Sequence, residues 1–337
     1  MVKIEVGSPE ESSVNVMRTL KPFAVLTATL ALASFMEPAP TFLAFAAWDE
    51  KQSSSTDTFP INPQGPAPSP QEIHTRADKF VANQHRDDQA LEQYERVEHH
   101  LDRSAGSMPR TIEDRVYRIV PTGAGTAKIV LRDGNKPVDP NTYKREMQNL
   151  EDLLKEMANP NDSRAKAAYA KRQKHDSDRA EFVDAAKEAF TIRWLGTSTV
   201  RGRGCDVFEL DPNSDFHPHG LFQEAFAHVV ARMWVDRETT QMVYGEARVM
   251  SDVSFGGGIL GKLYRGGVVS MEQAEVAPGI WLPTHYQYDF SGRRFLFYFE
   301  QHQSIDASRY RRVGPPAEAL LVVQSELANP KSFLLDP

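Results

Sequence analysis

The chain has 337 residues, 25% of them charged and 40% hydrophobic, which is the composition of a soluble globular protein with length for one large domain or two ordinary ones. Its formal net charge of -7 leaves no overall basic excess to attract nucleic acid, so no nucleic-acid partner is expected. Cys205 is the only cysteine, which rules out an intramolecular disulfide and a Cys-rich zinc site. Within the alternating run Gly204–Leu210 it reads as a small buried hydrophobe.

Arg18 and Lys21 precede a mostly apolar stretch, Phe23 to Phe35, the pattern of a secretory signal. That stretch is shorter than the ~20 residues a spanning helix needs. Small residues around Ala44 to Ala47 offer cleavage sites. Residues 1–47 are therefore expected to be a signal peptide or an uncleaved N-terminal anchor, and the protein to be periplasmic or otherwise exported. Glu5, Glu10 and Glu11 are foreign to a signal's basic start, which points to Met17 as the true first residue. Residues 48–70 read as a linker: Ser53 to Ser55 lead into Pro60, Pro63, Pro66, Pro68 and Pro70, a density that favours extended chain and no packed core.

The folded domain is expected over 71–313. Gln71 to Gln93 lacks Gly and Pro and predicts a weakly amphipathic helix. Tyr94 to Leu101 reads as the first strand, with its charges on a solvent face. Thr111 to Val120 and Thr126 to Leu131 follow as antiparallel strands, with a tight turn at Asp133-Gly134. A helical insertion spans 140–190. In its first helix Tyr143, Met147, Leu150, Leu154 and Met157 fall on one face, with Asp139 as cap and Pro140 at the first helical position. A polar segment with Arg164, Lys166, Lys171, Arg172 and Lys174 reads as a solvated face or a phosphate-binding patch. A second helix is expected from Asp178 to Phe190. Strands then predict a meander: Ile192–Val200, Cys205–Leu210, Phe226–Asp236, Thr240–Met250, Leu263–Val276, Ile280–Phe290 and Arg294–Ile305, the last two turning at Ser291-Gly292-Arg293. Residues 314–337 read as a C-terminal tail.

No GxSxG, HExxH or kinase motif is present, and no cofactor is expected. Gly256-Gly257-Gly258-Ile259-Leu260-Gly261-Lys262 lacks the spacing and final Ser/Thr of a phosphate loop, so its glycines read as a bend or bulge. Ser254 and His285 carry almost no signal as a nucleophile and base. Asp215, His217 and His219 could supply metal ligands, but a third strong ligand would have to come from afar. His99 and His100 face opposite sides of a strand. The aromatic load is the strongest feature. Trp194, Trp234, Tyr244, Tyr264, Trp281, Tyr286, Tyr288, Phe290, Phe295, Phe297 and Phe299 all fall on the expected sheet. Apolar residues on both faces imply that both are covered or curved inward. They read either as an ordinary core or as a concave face that accepts a hydrophobic ligand.

Ala231–Asp236, Val253–Lys262 and Ile280–Thr284, within this order of elements, resemble the LolA-like superfamily of periplasmic outer-membrane lipoprotein carriers and sorting proteins, most closely over 191–313. The resemblance implies an α+β fold: a strongly curved antiparallel sheet, a half-barrel closed by helices, whose concave side binds acyl chains. It carries over no functional residue. Expected partners are a lipid or acyl chain and lipoproteins or other envelope proteins, with no enzymatic activity. The expected cavity wall is Trp194, Met233, Tyr244, Leu282, Tyr286, Tyr288 and Phe297, tyrosines suiting a partly wet cavity. The alternatives are an envelope interaction or sensing module with a dry core, and a metal-dependent enzyme centred on His217 and His219.

Overall fold

The computed structural model describes residues 59–329 apart from 107 and 220–222. The expected signal segment and most of the linker lie outside the described residues. Among these, no helix is long and apolar enough to cross a membrane.

Helix α1, Pro70–Leu91, starts where its sequence says it must. The Ser69 hydroxyl accepts from the Glu72 N–H and the Glu72 carboxylate accepts from the Ser69 N–H, with Pro70 at the first helical position. Helix α2, Pro140–Ala158, is capped by Asp139 and buries the five expected apolar residues. Helix α3 differs from expectation. It runs unbroken over Ser163–Ala189, taking in the polar segment. Asp162 caps it, the Tyr169 hydroxyl donates to Met157 O, and of the segment's basic residues Arg164 pairs with Glu156 and Arg172 with Glu92 and Asp176. The C-terminal tail contains a further helix, α4, Pro316–Ala328, which lays Ala319 and Val323 against α2.

The strands are β1 (Tyr94–Arg103), β2 (Thr111–Pro121), β3 (Thr126–Asp133), β4 (Lys136–Pro137), β5 (Phe190–Val200), β6 (Arg203–Pro212), β7 (Val229–Asp236), β8 (Met242–Val249), β9 (Val253–Phe255), β10 (Gly261–Leu263), β11 (Val268–Ala277), β12 (Ile280–Arg294) and β13 (Phe297–Arg312). They form one open antiparallel sheet in the order β4-β3-β2-β1-β13-β12-β11-β8-β7-β6-β5, with β10 beside the end of β12 and β9 beside β10. The class is the expected α+β, a curved antiparallel sheet packed with helices. Three meanders build it, and pairing of β1 with β13 joins the first to the last.

Two turns depart from expectation. Residues 223–228 form a short 3-10 helix before β7. The last hairpin turns at Phe295-Leu296, because Ser291, Gly292 and Arg293 pair as strand with Glu300, Phe299 and Tyr298. Gly292 serves close approach: a Cβ there would lie 2.5 Å from Lys262 O and 2.7 Å from Phe299 Cζ. Gly256, Gly257 and Gly258 do form a bend, between β9 and β10, each at positive φ.

The core has three parts. Beneath α1, α3 and the 3-10 helix lies the largest, built from β6 to β13 on one face of the sheet. On the opposite face, α2 and α4 cover β1 to β3. Also on that opposite face, Val200, Cys205, Val207, Trp234, Val243 and Trp281 pack beneath Phe59 and Ile61. The end of the proline-rich segment therefore packs, and Asn62 pairs with Thr197 on the β5 edge, its N–H donating at 2.7 Å.

Candidate functional site

The face beneath α1 changes character along the strand order. From β7 to β12 it is apolar, with Met233, Ala247, Val269, Met271, Leu282 and Phe290 buried side by side. Tyr286 and Tyr288 continue this wall on β12, their rings stacked 6.2 Å apart and 14° from parallel. Their neighbours on β13 and β1 are different. Tyr286 pairs with Ile305, and Ile305 with His100 on β1. Arg96, Glu98 and His100 alternate on β1 and so share this face. Arg96 Nε donates to Glu98 Oε1 at 2.7 Å, and His100 Nε2 lies 2.7 Å from Glu98 Oε2. All three are buried, Glu98 completely. Tyr117 adds its ring edge-on to His100 at 4.9 Å, and the Tyr310 hydroxyl donates to Pro283 O.

These residues correct the expectation that the charges of β1 face solvent. Strand β1 is interior to the sheet, flanked by β2 and β13, and both its faces are covered. Buried charges persist only when paired, and Glu98 has the Arg96 guanidinium on one side and the His100 ring within hydrogen-bond distance on the other. Burial acts against the Arg96 charge, but Glu98 together with the Tyr310 and Tyr286 hydroxyls outweighs it and raises the guanidinium pKa. Burial raises the Tyr286 hydroxyl well above its ordinary value, with Tyr288 and Tyr310 adding to the effect. The Tyr288 hydroxyl is raised by burial and then by Glu98. Both phenols therefore stay protonated hydrogen-bond donors at neutral pH.

Helix α1 covers this face through polar side chains as well as through Phe80 and Leu91. Asn83 Nδ2 donates to the carbonyls of Thr239 and Thr240, both at 3.1 Å. Gln84 pairs with Gln273 of β11, and Gln241 Nε2 donates to Asp87 Oδ2 at 2.8 Å. Burial raises the Asp87 carboxyl, with Gln241 and Arg86 opposing. Nearer the helix start, Arg76 and Trp194 share the Asp206 carboxylate.

Of the seven residues expected to line a cavity, Met233, Leu282, Tyr286 and Tyr288 come together in this cluster, and Trp194 packs at its edge. Tyr244 lies on the opposite face, edge-on to Trp234 at 5.1 Å and under Phe59. It pairs with Trp234 and Glu272, one residue out of step with the Gly245–Met271–Tyr286 row, so strand alternation turns it away. Phe297 stands exposed beside the hairpin turn, as a consequence of that turn's position. Sequence reasoning missed Arg96, Glu98 and His100. Their signal was three ionisable groups at alternate positions of one strand.

The other candidates do not converge. Among the described residues no group of three His, Cys, Asp or Glu gathers as a metal site. His219 is held through its backbone N–H, which donates to Gln223 Oε1 at 2.9 Å. His99 bonds Asp114 and His285 bonds Asp306, each at 2.7 Å, on other parts of the sheet. Cys205 is a free, buried thiol that burial, aided by Asp236, pushes up to about 12.

No family model matches this chain, and no curated protein does. Solved structures similar to it include a DUF1329 family protein from Desulfovibrio piger, at 12% identity and a TM-score of 0.28, over 71% of this chain and 92% of that one. A putative outer membrane lipoprotein-sorting protein domain from Vibrio parahaemolyticus matches at 7% identity and 0.31, over 73% and 99%. A LolA superfamily protein from Nitrosomonas europaea matches at 10% identity and 0.29, over 73% and 96%. The family that the sequence resembles is thus among the solved structures that match. At such identities and TM-scores, nothing about ligand or activity follows from the likeness.

Proposed function

We propose that the protein is an exported, non-enzymatic binder of an amphiphile, a lipid or the acyl chain of a lipidated protein, taken up between the sheet and α1. One observation carries this reading: an apolar wall and a buried Arg96–Glu98–His100 cluster with protonated tyrosines adjoin on one face. Acyl chain and polar head need those two surfaces side by side. The polar anchoring of α1 supports it, because hydrogen bonds can be exchanged for water when a helix lifts, at small net cost. The same chemistry would suit a lipoprotein as the delivered partner.

The test is lipid extraction with native mass spectrometry of the purified protein, followed by titration with a fluorescent fatty acid. A bound amphiphile is expected, and Met233→Trp, which fills the wall, is expected to weaken fatty-acid binding about tenfold or more, given the cost of overpacking. Absence of co-purified lipid together with absence of fatty-acid binding would sink the reading. A second reading is favoured by the near-complete burial of Leu282 and Tyr286: the face is a dry core and the fold serves as an envelope interaction module. That outcome of the titration would select it.

A further inference from the structure

The last hairpin projects beyond its neighbours. On one side β1 ends at Arg103, paired with His302, and on the other β11 begins at Val268, paired with Asp289. Past those points β12 and β13 continue to Phe295-Leu296, paired among the described residues only with the β9–β10 bend. The two turns are fastened together. The Phe295 N–H donates to Leu260 O at 3.1 Å, and Arg293 Nη2 donates to Gly258 O at 3.1 Å. Each presents apolar side chains to water: Ile259 and Leu260 from one, Phe295, Leu296, Phe297 and Tyr298 from the other. Leu296 is 87% exposed, Ile259 76% and Phe297 66%. Scattered exposed apolar residues are ordinary, but six on two adjoining turns form a patch.

Shape and charge point to the occupant. The patch is a convex tip, suited to entering a yielding phase more than to filling a rigid pocket. Ser251–Arg265 and Ser291–Glu300 carry Lys262, Arg265, Arg293 and Arg294 against Asp252 and Glu300, a local basic excess in a chain of net charge -7. Tyr298 stacks on Tyr264 at 6.0 Å just behind the tip, and tyrosines favour the headgroup level of a bilayer. Apolar side chains ahead of a basic rim match acyl chains behind anionic headgroups. We infer that this double-turn tip is a membrane-docking element that inserts into an anionic lipid surface. The inference stands apart from the proposed amphiphile site, whose residues it does not use.

The test uses the full chain carrying Leu296→Cys, labelled with an environment-sensitive fluorophore. Cys205 is buried and stays unlabelled. Vesicles contain phosphatidylglycerol with phosphatidylethanolamine, or phosphatidylcholine alone, with and without lipids that carry a quencher in the acyl region. The expected result is a blue shift and quenching on the anionic vesicles, reduced by high salt. A label at Leu321→Cys, exposed on α4 behind the other end of β13, is expected to show neither. The label reads the tip itself, whatever else holds the chain on a vesicle. Leu296→Asp with Phe297→Asp is expected to lower binding to the anionic vesicles about tenfold or more, from keeping two apolar side chains out of lipid. A Leu296 label that stays in water on anionic vesicles overturns the inference. So does a dimer, seen by sedimentation, that the double Asp variant dissolves while the label stays wet, since the occupant would then be a second copy.

Discussion

Gln84 of α1 and Gln273 of β11 exchange hydrogen bonds, each Nε2 donating to the other's Oε1 at 3.2 Å, in a buried position. The pair fastens the covering helix to the sheet by amide groups that have no water to fall back on. Replacing one partner strands the other, whereas replacing both removes the desolvation problem. Gln84→Leu is expected to lower the unfolding free energy by about 1–3 kcal/mol, and Gln84→Leu with Gln273→Leu to restore most of it. Urea unfolding of the single and double variants checks this. Simple additivity of the two losses would show that the pair is not coupled.

Gly292 is a strand residue whose missing side chain admits both the Lys262 carbonyl and the Phe299 ring. Gly292→Ala is expected to destabilise by about 1–3 kcal/mol, the range for overpacking a filled site. A thermal melt unchanged from the parent would mean that β10 or Phe299 can give way, and that the turn residues alone hold the hairpin.

His302 on β13 has its Nδ1 2.6 Å from Asp289 Oδ1 on β12. That hydrogen bond raises the imidazole pKa above its ordinary 6.5, burial opposing and the charges of Asp289, Glu300 and Asp102 adding to it. A histidine with a raised folded pKa contributes stability in full below its unfolded value, and that contribution is lost as pH rises through the folded value. Unfolding free energy is therefore expected to carry a component that declines from about pH 6.5 upward, and His302→Gln is expected to remove it. Urea unfolding at a series of pH values decides; an identical decline in the variant would assign it to another group.

Phe59 covers Trp234 and Tyr244 with ring centroids 6.3 and 5.2 Å away, and the adjoining Asn62 pairs with the β5 edge. Phe59→Ala is expected to cost about 1–2 kcal/mol, less than a fully buried side chain would, and to shift tryptophan emission to the red as water reaches Trp234. Unchanged emission would indicate that Ile61 alone keeps that face dry.

Local pattern was enough for most elements. The five apolar residues of α2, the Asp139 cap, and the longer alternating strands depend on neighbours within a few positions, and such signals survive without tertiary context. The resemblance of the segments after Thr191 to a LolA-like protein rested on the same strand pattern. Where a residue's role depends on a partner far along the chain, pattern pointed the wrong way. Gly292 looked like a turn, because glycine's usual purpose is conformational, and its purpose here is to make room for Lys262 and Phe299. That single misplacement put Phe297 in a wall when it stands at a tip.

The sequence by itself determined the α+β character, the start of α2, the glycine bend at Gly256 to Gly258 and the buried state of Cys205, since each follows from local geometry or composition. Only the tertiary structure decided which face each aromatic serves. Cross-strand register set Tyr244 level with Trp234 and Glu272, in the row next to Met233, Met271 and Tyr286, and the closure of β1 against β13 buried Arg96, Glu98 and His100. Strand alternation has a period of two, so a one-residue step in register or one added neighbour reverses what a side chain faces, and neither is written in the run of residues that it governs.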